Sequence, residues 1–158
     1  MIIIIVPIIK LIDRVFGPLI ILFLARGKKI VKPKSFLILR LWAIGDTLIT
    51  MVIIEGISKL YPEAEIYVLA RKNNEIIYRN NPNIRKIYFL SDVPKLINKF
   101  DVVFDCEPYL NISAIISRVI GKSTIGFSHG IRKRLYDRLV DFKKSQHMVQ
   151  NYLDMLRA

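Results

Sequence analysis

Cysteine is nearly absent from this chain. One thiol, Cys106, among 158 residues excludes an intrachain disulfide and is compatible with a cytoplasmic setting. Histidine is also scarce. His129 and His147 lie too far apart for a metal motif and have no Cys partners, so no metal site is expected. The seven glycines form neither G-x-G-x-x-G nor Gly-Lys-Ser/Thr, which excludes the dinucleotide fingerprint and the P-loop. Acidic residues are few, 13 against 25 Lys and Arg, leaving a formal charge of +12. Basic charge invites nucleic acid, but no helix-turn-helix, RNP or zinc signature is present, and no nucleic-acid partner is expected. There are no repeats and no low-complexity tracts. No apolar run reaches the ~20 residues of a spanning helix without charges in its middle.

Hydrophobic residues make up 53% of the chain, and the excess sits at the amino terminus. Apolar pieces at 1–9 and 15–25 are separated by Lys10, Asp13 and Arg14 and interrupted by Pro7, Gly17 and Pro18. No small-residue cleavage site follows, which argues against a signal peptide. Arg26, Lys28, Lys29, Lys32 and Lys34 follow instead. That order predicts a membrane-associating segment over 1–27, monotopic or peripheral, with the basic residues meeting lipid head groups; a tilted single span that tolerates the charges by snorkelling and a buried helix are the alternatives. Its expected place is the cytoplasmic face of the cell membrane. A basic linker over 28–35 precedes a single domain over 36–158. A second basic patch lies at 128–145.

From residue 36 onward, apolar strand-like runs alternate with helical spacing. Strands are predicted at 36–41, 65–70, 86–90, 102–105 and 123–127. Helices are predicted at 47–60, 74–80, 92–99, 110–120 and 146–157. Residues 128–145 read as irregular. Regular alternation means an α/β protein with a parallel sheet, and continuous apolar strands mean helices on both faces.

The densest signal is Phe36-Leu37-Ile38-Leu39-Arg40-Leu41-Trp42-Ala43-Ile44-Gly45-Asp46-Thr47. An apolar strand runs into a Gly-Asp turn and then a helix. Ligands of open α/β sheets gather at the carboxyl ends of strands. Asp46 there is placed either to cap the helix or to act as a general base. Gly45 allows the backbone to turn and a substrate to come close, and Thr47 could offer a backbone N–H to an anion. Arg71 and Lys72 follow the second strand, and Asp105, Cys106 and Glu107 follow the fourth. Each group is either solvated or capping, or else contacts an acceptor phosphate or hydroxyl. Arg132 and Lys133, in the second basic patch, could reach phosphate or lipid. Cys106 reads as a strand-end thiol, and His147 as structural.

The chain resembles the amino-terminal domain of glycosyltransferase family 9, the ADP-heptose:lipopolysaccharide heptosyltransferase family. The resemblance runs over about 36–158. Besides Gly45-Asp46, it rests on Tyr61-Pro62-Glu63-Ala64-Glu65-Ile66, Asn81-Pro82-Asn83-Ile84, Asp101-Val102-Val103-Phe104-Asp105, Ile125-Gly126-Phe127 and His147 with Tyr152-Leu153. Asp13 and Gly17-Pro18 echo a pattern that precedes the first strand in some members. The resemblance implies a Rossmann-like domain, one half of a GT-B fold. It further implies that Asp46 is the catalytic base of an inverting sugar transfer. The donor, a nucleotide sugar, would be a co-substrate held mainly by a second domain or a separate donor-binding chain. The acceptor would be a lipid-linked or cell-surface glycan, and no cofactor is implied. The competing expectation is a non-catalytic membrane-tethered module, or a truncated enzyme.

Overall fold

The computed structural model describes residues 32–158. The expected membrane segment over 1–27, with Arg26, and Lys28 and Lys29 of the basic flank lie outside the described residues. Lys32 and Lys34 are exposed.

Six parallel strands form one sheet: β1 (Ser35–Arg40), β2 (Glu65–Ala70), β3 (Ile84–Tyr88), β4 (Phe100–Asp105), β5 (Gly121–Phe127) and β6 (Arg138–Val140). Their spatial order is β3-β2-β1-β4-β5-β6. The helices are α1 (Ile44–Ile49), α2 (Met51–Leu60), α3 (Glu75–Tyr78), α4 (Asn111–Ile120) and α5 (Met148–Arg157).

The central strand explains the layering. Successive side chains of a strand point to opposite faces, and β1 is apolar on both. Phe36 and Ile38 join one core with Ile53, Ile54 and Ile57 of α2 and Tyr152 and Met155 of α5. Leu37 and Leu39, with Leu41 just beyond the strand, join a second core with Ile116 and Ile120 of α4. Each fully buried Leu or Ile contributes about 1.5–3 kcal/mol. Helices therefore cover both faces, as expected.

The sequence reading is corrected at several points. A sixth strand, β6, lies in the stretch read as irregular. It is only three residues long, with Arg138 and Leu139 exposed, so it carries no apolar run to read. Asp137 fixes its approach by accepting from the Thr124 N–H and from Arg118, each at 2.8 Å. The first helix starts at Ile44, and its N-cap is Ala43, not Asp46. It breaks at Thr50, whose amide and hydroxyl both donate to the Thr47 carbonyl at 3.1 and 2.7 Å. That tightens the turn and divides α1 from α2. The segment expected to be helical over 92–99 is a 3₁₀ turn, Leu90–Lys95. Pro94 within it has no N–H to continue an α-helical ladder. Residues 72–74 form another 3₁₀ turn, leaving α3 a single turn. The last helix begins at Met148, with His147 as N-cap: its Nδ1 accepts from the Val149 N–H at 3.2 Å.

Candidate functional site

The strand order places a topological switch between β1 and β4. From β1 the chain winds outward through β2 and β3, then returns to β4 on the other side. Crevices at the carboxyl ends of such strands are where doubly wound sheets bind ligands. A cleft of about 560 Å³ lies there, lined by Arg40, Trp42, Ala43, Asp46, Glu107, Pro108, Tyr109 and His129 among others.

Arg40 ends β1 and organises the cleft floor. It is 3% exposed. Its Nε donates to the Trp42 carbonyl at 3.0 Å, its Nη1 to the Cys106 carbonyl at 2.5 Å, and its Nη2 to Asp46 Oδ2 at 2.5 Å. Asp46 sits at the third position of α1, in the first turn, where a carboxylate suits the positive end of the helix. It makes no cap bond. Its side chain is 43% exposed, so a fixed carboxylate faces the cleft.

Glu107, after β4, is almost fully buried and serves the loop. Its Oε1 accepts from the N–H groups of Leu41 and Trp42 at 2.7 and 2.8 Å. Its Oε2 lies 3.7 Å from Arg40 Nη1. Burial raises its pKa, outweighing the opposing pull of Arg40 and of the two backbone N–H groups. Glu107 and Arg40 together clamp the loop carrying Ala43. Ala43 has φ 60° and ψ 117°, a conformation natural to glycine and strained for alanine.

The cleft also has aromatic walls. The Arg71 guanidinium sits 4.3 Å over the Trp42 ring. Tyr109, 50% exposed, meets the rings of His129 at 5.2 Å and Phe142 at 5.7 Å, both edge to face.

The remaining expected site residues fall in different places. Thr47 is buried, and its N–H donates to the Ala43 carbonyl, so it does not serve an anion. Its hydroxyl accepts from Asn74 at 2.9 Å. Gly45 lies within helix α1, and the backbone turn with positive φ is made two residues earlier, at Ala43. An added Cβ at Gly45 would meet nothing within 4 Å. Arg71 and Lys72 line a shallow depression with Phe89 and Leu90 at the ends of β2 and β3. Lys133 is exposed.

Asp105 and Arg132 were expected at the substrate. Instead they pair inside the protein, at 0% and 1% side-chain exposure. Asp105 Oδ2 accepts from Arg132 at 2.8 Å, Tyr136 at 2.6 Å and Ser113 at 2.8 Å, and Oδ1 accepts from the Glu107 N–H at 3.0 Å. Val103 and Asp105 face α4, Val103 packing with Ile116 and Ile120 and Asp105 accepting from Ser113, which takes Asp105 away from the cleft. The Tyr136 ring lies directly on Gly126, where a Cβ would come within 2.3 Å of it. Burial pushes the Tyr136 phenol well up, as it does the Cys106 thiol, which is inert and fully buried.

Among the described residues no cluster of His, Cys, Asp or Glu could hold a metal. No helix among them is long and apolar enough to cross a membrane. Reading by sequence missed Arg40, Trp42 and Tyr109. A charged residue closing an otherwise apolar central strand was the available signal for Arg40.

No protein-family profile matches the chain. Lipopolysaccharide heptosyltransferase 1 of Campylobacter coli is 26% identical over 135 residues, covering 75% of this chain and 39% of that protein. The solved glycosyltransferase family 9 protein of Veillonella parvula superposes with a TM-score of 0.67 at 20% identity, over 78% of this chain and 40% of its own. E. coli heptosyltransferase WaaC, solved with ADP, gives 0.68 at 16% identity, over 77% and 45%. The chain thus spans about two fifths of the length of the relatives it matches. In fold and in sequence pattern, it resembles the amino-terminal domain of glycosyltransferase family 9.

Proposed function

We propose that this chain is the acceptor-side half of a membrane-associated, heptosyltransferase-like glycosyltransferase. Asp46 removes the proton from an acceptor hydroxyl. That oxygen then bonds to the anomeric carbon of a nucleotide sugar as the bond to the nucleoside diphosphate breaks, inverting the centre. The carrying observation is the Asp46 carboxylate: exposed in the switch-point cleft and fixed by Arg40 at 2.5 Å. A base needs such positioning before it needs a tuned proton affinity.

The donor is a nucleotide sugar, a reading supported by the ADP with which WaaC was solved. It is bound mainly by a second half, a reading supported by relatives of which this chain covers about two fifths. The acceptor is a lipid-linked or cell-surface glycan. Residues 1–27 carry the membrane association, and deleting them should leave the protein largely soluble. Release of intact protein by high salt alone would show that charge, not insertion, holds it.

The test of the reaction is Asp46→Asn in the two-half enzyme. Asn keeps the size and can still accept from Arg40, so stability should change by less than about 1 kcal/mol. Transfer should fall by ~10²–10⁴-fold with donor binding unchanged. Transfer within a few-fold of the parent would overturn the assignment.

A further inference from the structure

We propose that Trp42, Tyr109 and His129 form a sugar-ring subsite beside Asp46, where the acceptor's pyranose lies during transfer. This rests on the acceptor-side reading above.

Tyr109 is a half-exposed ring that is nonetheless fixed. His129 and Phe142 each meet it edge to face. Phe142 in turn packs against the buried Phe127 at 5.1 Å. A chain of rings therefore anchors an exposed aromatic to the core, at the mouth of the cleft that holds Asp46. Trp42 stands in the same lining, backed by Arg71 at 4.3 Å. Its Nε1 is buried with no hydrogen-bond partner among the described residues, so stacking rather than a polar bond holds the indole. Tyr109 therefore presents a half-exposed ring, and Trp42 a partly buried one, on which a ligand's apolar face can pack.

The charges in the lining select the ligand class. Arg40 is committed to two carbonyls and to Asp46. The other ionisable groups of the lining are Asp46, Glu107 and His129. Glu107 is buried and committed to the loop, so the cleft floor offers the exposed Asp46 carboxylate and no free guanidinium, which disfavours a diphosphate there. A pyranose fits better. One face of its ring presents C–H groups, which suit the electron-rich face of an aromatic ring. Its hydroxyls meet the acidic side of the cleft, and a volume of about 560 Å³ is in the range of small-molecule sites.

Trp42 is the single tryptophan of the chain, so its fluorescence reports this cleft alone. The experiment titrates the full chain with the methyl glycosides of glucose, galactose and mannose, and separately with ADP. Trp42 emission and ligand-observed NMR are both followed. At least one glycoside should bind saturably in the millimolar range. Tyr109→Ala should weaken it at least about threefold. Tyr109→Phe, which keeps the ring and the fold, should stay within about twofold of the parent. Absence of glycoside binding by both methods would overturn the proposal, as would equal binding by Tyr109→Ala. ADP binding that Tyr109→Ala abolishes would also overturn it, and would assign the platform to a nucleobase. Loss of the base assignment would show separately, as unimpaired transfer by Asp46→Asn with glycoside binding intact.

Discussion

Arg40 donates to Asp46 across 2.5 Å at the end of the central strand, from a position that is 3% exposed. The same guanidinium holds the carbonyls of Trp42 and Cys106 and faces Glu107. Replacing it with Met would take away the donor to the Trp42 carbonyl, leave the Cys106 carbonyl with the Tyr152 hydroxyl at 3.3 Å, and leave Glu107 buried without a counter-charge. Removing one partner of a buried pair typically costs about 3–5 kcal/mol. Urea unfolding of Arg40→Met should show a loss of that order. Arg40→Lys should recover only part of it, because an ammonium cannot serve three directions in one plane. Near-parental stability of Arg40→Met would mean that Glu107 does not depend on it.

The strands were legible in the sequence because a parallel central strand is apolar on both faces and needs no alternation to be read. Asp46 and Glu107 stood out in the sequence because each lies in a loop or turn that follows a strand, and the structure places both in the lining of one cleft. What pairs with them was not legible. Arg40 and Glu107 are 67 positions apart only in sequence; register of β1 with β4, Leu39 opposite Asp105, brings them together. Asp105 was read toward the cleft because it ends a strand, and Arg132 toward phosphate or lipid because it lies in a basic patch. Which side of the sheet an end residue faces depends on strand parity. Parity put Asp105 under α4. The short 3₁₀ turns and β6 carry too few residues for any periodicity.

The Asp105–Arg132 pair should behave as structure, not as a ligand contact. Arg132→Met and Asp105→Asn each leave a buried charge without its counter-charge, at about 3–5 kcal/mol. The double variant should cost less than the two summed, by about 0.5–3 kcal/mol. Unfolding curves of the four proteins check this. Arg132→Met that is fully stable but defective in transfer would return Arg132 to the substrate.

Asp101 ties the starts of three strands. Its carboxylate accepts from the N–H groups of Lys34 and Ser35 at 2.9 and 3.2 Å and from Lys122 at 2.8 Å. Burial would raise its pKa, but Lys122 and the two N–H groups hold it below the usual value. A lowered folded-state pKa stabilises fully above the unfolded value of about 3.9, and the contribution is lost as pH falls through the lower, folded value. Asp101→Asn should therefore be less stable than the parent near neutrality. The gap should narrow as pH falls below about 3.9. Urea midpoints across the acid range measure it, and a gap independent of pH would contradict the ionic origin.

Ala43 tests whether the cleft loop is held against its own preference. Its φ of 60° and ψ of 117° lie outside the regions open to alanine at low cost, and such strain is about 1–3 kcal/mol. Glycine removes that strain but gives back about 0.5–1 kcal/mol through the freer unfolded chain. Ala43→Gly should thus be neutral to about 2.5 kcal/mol more stable. Ala43→Val should be less stable than the parent, since a β-branched side chain tolerates positive φ worst. The strain persists because Glu107 holds the N–H groups of Leu41 and Trp42 and Arg40 holds the Trp42 carbonyl. In a Glu107→Ala background the loop can relax, and the benefit of Ala43→Gly should shrink. Thermal or urea unfolding of the two single variants and the double variant gives that coupling directly. If glycine helps equally with and without Glu107, the clamp is not what keeps Ala43 strained.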